Sequence, residues 1–166
     1  MSVEELVKKL ASKGVDVVDL LLDALGAEDP EESVGERLAL AEKYLEEAKQ
    51  YVKKGDAVQA SEKAYKAAEE VVKALAERFR TPEYYKFMQT GRWHTYLLGM
   101  ASKTLAKQLG EWVAEGWSVA YDLHVWGFHE GKYAAEHVEV GLVAVERMVR
   151  EAKRALQSSA RTQPNA

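Results

Sequence analysis

Hydrophobic residues recur three and four positions apart along almost the whole chain, and no two-residue alternation rich in β-branched side chains persists between turn signals. This pattern predicts an all-α protein. Val3, Leu6, Val7 and Leu10 mark a short helix that should stop at Lys13-Gly14. Asp16 is placed to cap a second, Val17 to Leu25, closed by Gly26. Asp29-Pro30-Glu31-Glu32 opens a long helix with proline in its first turn and acids at the positive end of the dipole; its inward stripe is Leu38, Ala41, Leu45, Ala48 and Val52. "KKGD" at 53–56 reads as a tight turn, with Gly55 ending one helix and Asp56 capping the next, so the flanking helices should form an antiparallel hairpin.

The helix after that turn carries two adjacent apolar stripes. One is Val58, Ser61, Tyr65, Ala68, Val72, Leu75 and Phe79; the other is Ala57, Ala60, Ala64, Ala67, Val71 and Ala74. So wide a face belongs at the centre of a bundle, where alanines let neighbouring backbones approach. A tetratricopeptide array would need a second copy at a period of about 34 residues, and none is present. Thr81-Pro82 ends the helix. An aromatic segment (Tyr84, Tyr85, Phe87) leads through "TGRW" into a helix with Trp93, Tyr96, Leu97, Met100 and Leu105, and Gly110 separates this from a further helix. The last helix should run from about Ala134 to Leu156 after Gly131, with Val138, Val145, Val149 and Ala152 inward. The organisation expected is two short N-terminal helices over 1–28, an up-and-down helical bundle over 29–157 and a disordered tail over 158–166.

Composition narrows the function classes. At 166 residues with 47% hydrophobic and 30% charged positions, the chain can bury one core, and its apolar runs are too short to span a bilayer. No membrane association is expected. "MSVEELVKKL" has neither an uninterrupted apolar segment nor a small-residue cleavage site, so no signal peptide is expected and the location expected is cytoplasmic. The absence of cysteine excludes disulfides, thiolate metal sites and cysteine nucleophiles. Asparagine occurs only at Asn165, which with the many Lys and Glu suggests a thermophile. A net charge of −4 offers phosphate backbones no global attraction, so nucleic-acid binding would need a local patch.

Candidate chemistry concentrates in "YDLHVWGFHE", residues 121–130. Continued as an α-helix, the segment from Glu111 places Val113, Trp117, Ala120, His124 and Phe128 on one face. Glu111, Glu115, Ser118, Asp122 and His129 fall on another. His124 and His129 would then lie about 140° apart around the axis, unlike the i, i+4 pair that binds zinc, unless Gly127 breaks the helix and lets His94, His137 or Glu130 converge. No metal and no cofactor are expected. One reading makes His124 a core histidine satisfied by a backbone carbonyl, and His129 part of a solvated acidic face. The other makes His129 a proton shuttle or anion contact with Asp122 as its partner. Arg92, Trp93 and His94 form a second constellation, since arginine beside aromatic rings suits a phosphate or nucleobase; Trp126 joins them as a candidate ligand contact. Against this, Trp93 can simply be core with Arg92 covering it.

Three blocks, "LALAEKYLEEAKQYVKKGDAVQASEKAYKAAEEVVKALA" (38–76), "GRWHTYLL" (91–98) and "WSVAYDLHVWGFHE" (117–130), together resemble the PaREP family of archaeal proteins over about residues 15–150. The fold of that family is similar to the HEPN superfamily of helical bundles. The resemblance implies an up-and-down bundle that often dimerises, with members acting as ribonucleases, as toxins or as partners of minimal nucleotidyltransferases. HEPN ribonucleases carry an arginine, four to six residues and then a histidine, assembled across a dimer to cut RNA without metal. No arginine in this chain precedes a histidine at that spacing; His124 and His129 fit it with histidine in the arginine place. A histidine is not a permanent charge at neutral pH. The expectation is therefore a dimeric, HEPN-like, non-catalytic module that binds a partner protein, a nucleotide or RNA. The alternative is a metal-independent ribonuclease using His129, His124 and Asp122, with Arg92 on the phosphate.

Overall fold

Two short helices, α1 (Val3–Ser12) and α2 (Val17–Glu28), precede the long α3 (Pro30–Lys53) in the computed structural model, which describes residues 1–162. Each starts where a side chain can take up a free amide. Ser2 and Glu5 form a capping box on α1, Asp16 accepts from the Asp19 amide, and Asp29 accepts from the Glu32 amide with Pro30 as the first helical residue. The "KKGD" turn forms as expected: Gly55 has a φ of 76° and Asp56 caps α4 (Ala57–Phe79). There follow α5 (Pro82–Thr90), α6 (Thr95–Leu109), α7 (Trp112–Asp122), a π-helical turn at Leu123–His129 and α8 (Ala135–Thr162). No strand occurs among the described residues, and the fold is an all-α bundle.

Helix α4 is the axis of this bundle. It packs against α3, α5, α6, α7, the π-helical turn and α8, so its two apolar stripes are covered by different neighbours. Ala60, Ala64, Ala67, Ala68, Val71, Val72, Ala74 and Leu75 are all fully buried. The alanines bring those neighbours close enough for dense packing at low side-chain entropy cost.

Three segments depart from the sequence reading. Gly26 does not end α2 but lies within it; its lack of a side chain makes room for the Glu77 carboxylate, which a Cβ there would run into, and its carbonyl accepts the Tyr84 hydroxyl at 2.9 Å. The aromatic segment after Pro82 is a helix of its own, α5, capped by Thr81, with Tyr84 and Phe87 buried. Helix α8 continues past 157 to Thr162, so 158–162 are helical where a disordered tail was expected; 163–166 lie outside the described residues.

A largely buried ionic cluster ties α2 to the bundle, with Asp19 and Asp23 at its partly exposed edge. Arg37, fully buried on α3, donates from Nε to Glu77 at 2.9 Å, from Nη1 to Glu70 at 2.8 Å and from Nη2 to Asp23 at 2.8 Å. Lys73 adds contacts of 2.7 and 2.9 Å to Asp19, and Ser33 donates to Glu77. Burial lifts Glu70 well above the usual carboxylate range, as does its hydrogen bond to Asp19. Burial opposes ionisation of Asp19 too, but that same hydrogen bond and Lys73 outweigh it and hold Asp19 at about 2. No described helix is long and apolar enough to cross a membrane.

Candidate active site

Helix α7 passes without a break into the π-helical turn, where the Glu130 amide donates to the carbonyl of Val125, five residues back, at 2.9 Å. A ring closed over five residues instead of four widens the helix, so residues five apart come to the same side. His124 and His129 are such a pair. The 140° separation expected of a regular helix is absent, and their Nε2 atoms stand 3.0 Å apart.

Gly127 makes the widened turn possible. It is buried against α4, where a Cβ would collide with the side chain of Ser61. That seals the Ser61 hydroxyl in the interior without a hydrogen-bond partner. The turn closes through Gly131, at a φ of 59°, with the Lys132 amide donating to the Trp126 carbonyl at 2.7 Å.

From α4, Glu62 Oε2 meets His124 Nδ1 at 3.1 Å. Tyr65, one turn on, stacks its ring on the His124 imidazole with centroids 3.9 Å apart. Burial pushes the Tyr65 hydroxyl well above its ordinary range, so it stays a neutral phenol. The chain Glu62, His124, His129 thus runs from a half-buried carboxylate to a ring in water; the His124 side chain is 18% exposed, and His129 lies open.

Donor and acceptor counting orders this chain. An ionised Glu62 can only accept, so His124 Nδ1 carries a proton. In the neutral ring, His124 Nε2 is then bare and must accept from His129 Nε2. That leaves His129 Nδ1 with a free lone pair. The arrangement can take a proton at the surface and spread the resulting charge toward Glu62.

Other expected site residues fall elsewhere. Asp122 is not the partner of His129, since its Oδ2 accepts from the Tyr133 hydroxyl at 2.7 Å. The Arg92-Trp93-His94 trio splits: Trp93 is buried and stacked on Phe87 at 5.0 Å, while Arg92 is exposed. His94 sits at the N-cap of α6 with its ring against Tyr96. Trp126 is 48% exposed on the outer side of the turn. His137 accepts from the Ala134 amide at 2.9 Å, which spends it on starting α8. His124 is satisfied by a carboxylate and an imidazole rather than a backbone carbonyl. No three metal-ligating side chains converge among the described residues. The sequence reading places Tyr65 only in a core stripe and does not mark Glu62 at all. They lie on α4, far along the chain from the histidines, and only their spacing of three hinted at a shared face.

The fold has known relatives. A crystal structure of a Sulfolobus solfataricus protein is 38% identical and superimposes with a TM-score of 0.65, covering 70% of this chain and 95% of that one. No curated protein sequence matches. The Archaeal PaREP1/PaREP8 family matches residues 36–149, a span that includes α4, the π-helical turn and all three members of the Glu62, His124 and His129 chain, and the protein belongs to that family.

Proposed function

We propose that this chain is an RNA-directed module of the HEPN type, in which His129, backed by His124 and Glu62, exchanges a proton with a ribose phosphodiester without a metal. The observation that carries this reading is the 3.0 Å contact between the two imidazoles. It ends an internal carboxylate–imidazole chain on a solvent-facing ring, the arrangement that general acid–base catalysis near neutral pH requires.

In the proposed step, Nδ1 of His129 takes the proton of a ribose 2′-hydroxyl. The 2′-oxygen bonds to the neighbouring phosphorus, and the bond from phosphorus to the 5′-oxygen breaks. The products are a 2′,3′-cyclic phosphate and a strand with a 5′-hydroxyl. The gap between His124 and His129 admits no phosphate, so the two cannot act on opposite faces of one phosphorus atom. His124 is therefore a positioning residue. The proton for the departing oxygen comes from the same histidine of a second copy of the chain, in keeping with the dimer that the resemblance implies.

A second reading, a non-catalytic module for a nucleotide, RNA or a protein such as a nucleotidyltransferase, draws support from charge. No arginine or lysine among the described residues bonds to Glu62, His124 or His129, whereas phosphoryl transition states are stabilised by fixed cations. Incubation of single-stranded RNA with purified protein in a chelator decides between the readings. Cyclic-phosphate products from the wild type that vanish in His129→Ala are expected; RNA left intact by the wild type would sink the catalytic reading and leave the binding one.

A further inference from the structure

The rings of α7 continue from His124 along the helix. Tyr121 lies 6.2 Å from the His124 ring and 6.3 Å from that of Trp117, and Trp117 and Tyr121 line a cleft of about 550 Å³ between α6 and α7. The volume falls within the range of roughly 300–1,000 Å³ that small-molecule sites occupy. We infer that this cleft holds one nucleotide of single-stranded RNA beside the one presented to His129. Its base lies against Tyr121 and Trp117, and its phosphate lies at Lys103 and the first turn of α6. The inference rests on the reading of this face as RNA-directed.

Four features of the cleft match that occupant. Trp117 is mostly buried, but its indole N–H is not sealed in: no protein group accepts from it, and the residue lines the open cleft. A Cβ on Gly99 would stand 3.4 Å from that nitrogen, so the bare backbone at Gly99 leaves the donor facing the cleft, where the edge of a base can accept from it. Tyr121 and Tyr96 present 43% and 64% of their surface to water on the walls, and aromatic faces in water are what unpaired bases stack on.

The phosphate side is equally open. Lys103 makes no ion pair, and its Nζ has only a 3.5 Å contact to the Gly99 carbonyl. His94 supplies no side-chain cap to α6, whose first residues, Thr95 and Tyr96, line the cleft; the Leu97 and Leu98 amides are taken by the His94 carbonyl, which leaves the two amides before them without an intrahelical partner. One unpaired indole donor on the cleft wall, two exposed phenol rings, a lone cation and an uncapped helix start together suit a flat base followed by an anion. An apolar peptide would leave the donor and the cation unanswered.

The test is fluorescence anisotropy with a short fluorescein-labelled single-stranded RNA in chelator, together with the cleavage assay. Tyr121→Ala should weaken binding about ten-fold. Gly99→Leu, which fills the cleft, should weaken it at least as much, and its melting curve shows whether the fold survives. Lys103→Ala should weaken binding a few-fold and flatten its salt dependence. Adenosine monophosphate should compete with the wild type and not with Tyr121→Ala. His129→Ala should lose cleavage and keep binding. Failure of the wild type to bind RNA, or affinity unchanged in both Tyr121→Ala and Lys103→Ala, would overturn the inference. Binding that depends on Tyr121 without any cleavage would uphold this subsite and remove the proton-transfer step; cleavage with cleft-independent affinity would do the reverse.

Discussion

Helix α4 carries two polar constellations of opposite character. Toward its C-terminal half, Glu70, Lys73 and Glu77 meet Arg37 and the α2 acids in a cluster whose α4 and α3 members are buried and whose α2 acids lie at its partly exposed edge. Toward its N-terminal half, Glu62 and Tyr65 hold His124, and the chain of contacts ends at an exposed ring. In the first, every charge is answered from within the cluster, so the cluster specifies where α2 docks and has no group left for a substrate. In the second, one proton position is left facing outward. Burial alone marks neither as functional; the open end of the hydrogen-bond chain separates them.

The difference breaks most visibly at Arg37. Arg37→Ala leaves four carboxylates facing Lys73 alone, and the loss expected in denaturant unfolding is about 3–5 kcal/mol. A loss under about 1 kcal/mol would mean that solvent at Asp19 and Asp23 screens the whole cluster. At the other end, Gly127→Ala drives a methyl group into Ser61 and should cost about 1–3 kcal/mol while pulling His124 from Glu62. Ser61→Gly in the same chain should recover part of that, and strictly additive effects would show that the two residues do not touch.

Acidity sharpens the comparison further. Burial lifts Glu69, between the two regions on α4, to about 7 against an ordinary 4.5. Between those values the folded chain holds a proton that the unfolded chain has lost, so stability falls as pH rises through this window. The melting temperature should therefore climb as pH is lowered from above 7 toward 4.5, and Glu69→Gln should flatten the slope. Asp19 works in the opposite sense: held at about 2 against 3.8, it contributes stability above 3.8 that is lost as pH falls toward 2. An unchanged slope in Glu69→Gln would assign the effect to Glu70 and Glu77, which burial also raises. The smallest effect is expected at the surface, where His129→Ala should change stability by no more than about 0.5 kcal/mol. His124→Ala removes the ring stacked on Tyr65 and should cost more.

Helix periodicity carried the fold. The alanine and valine stripes of α4 put it at the centre, and Asp16, Asp29, Asp56 and Gly55 marked real boundaries because caps act over three or four residues. What escaped depended on contacts between distant segments. Arg37 stands on the same stripe as Val34 and Ala41, a buried position for a charge, but its four acids come from two other helices, α2 and α4. The histidine pair was missed for a local reason. Projection at 3.6 residues per turn fails in a π-helical turn, and Gly127, the one residue that hinted at a break, widens the helix instead of ending it.

The account rests on the proton order along Glu62, His124 and His129, and histidine-selective ¹⁵N NMR reads that order directly. His124 should show a protonated Nδ1 and a bare Nε2, and His129 the reverse, with Glu62→Gln disturbing both rings although it touches only the first. Identical Nε2-protonated tautomers on both rings, or a His129 signal indifferent to Glu62→Gln, would contradict it.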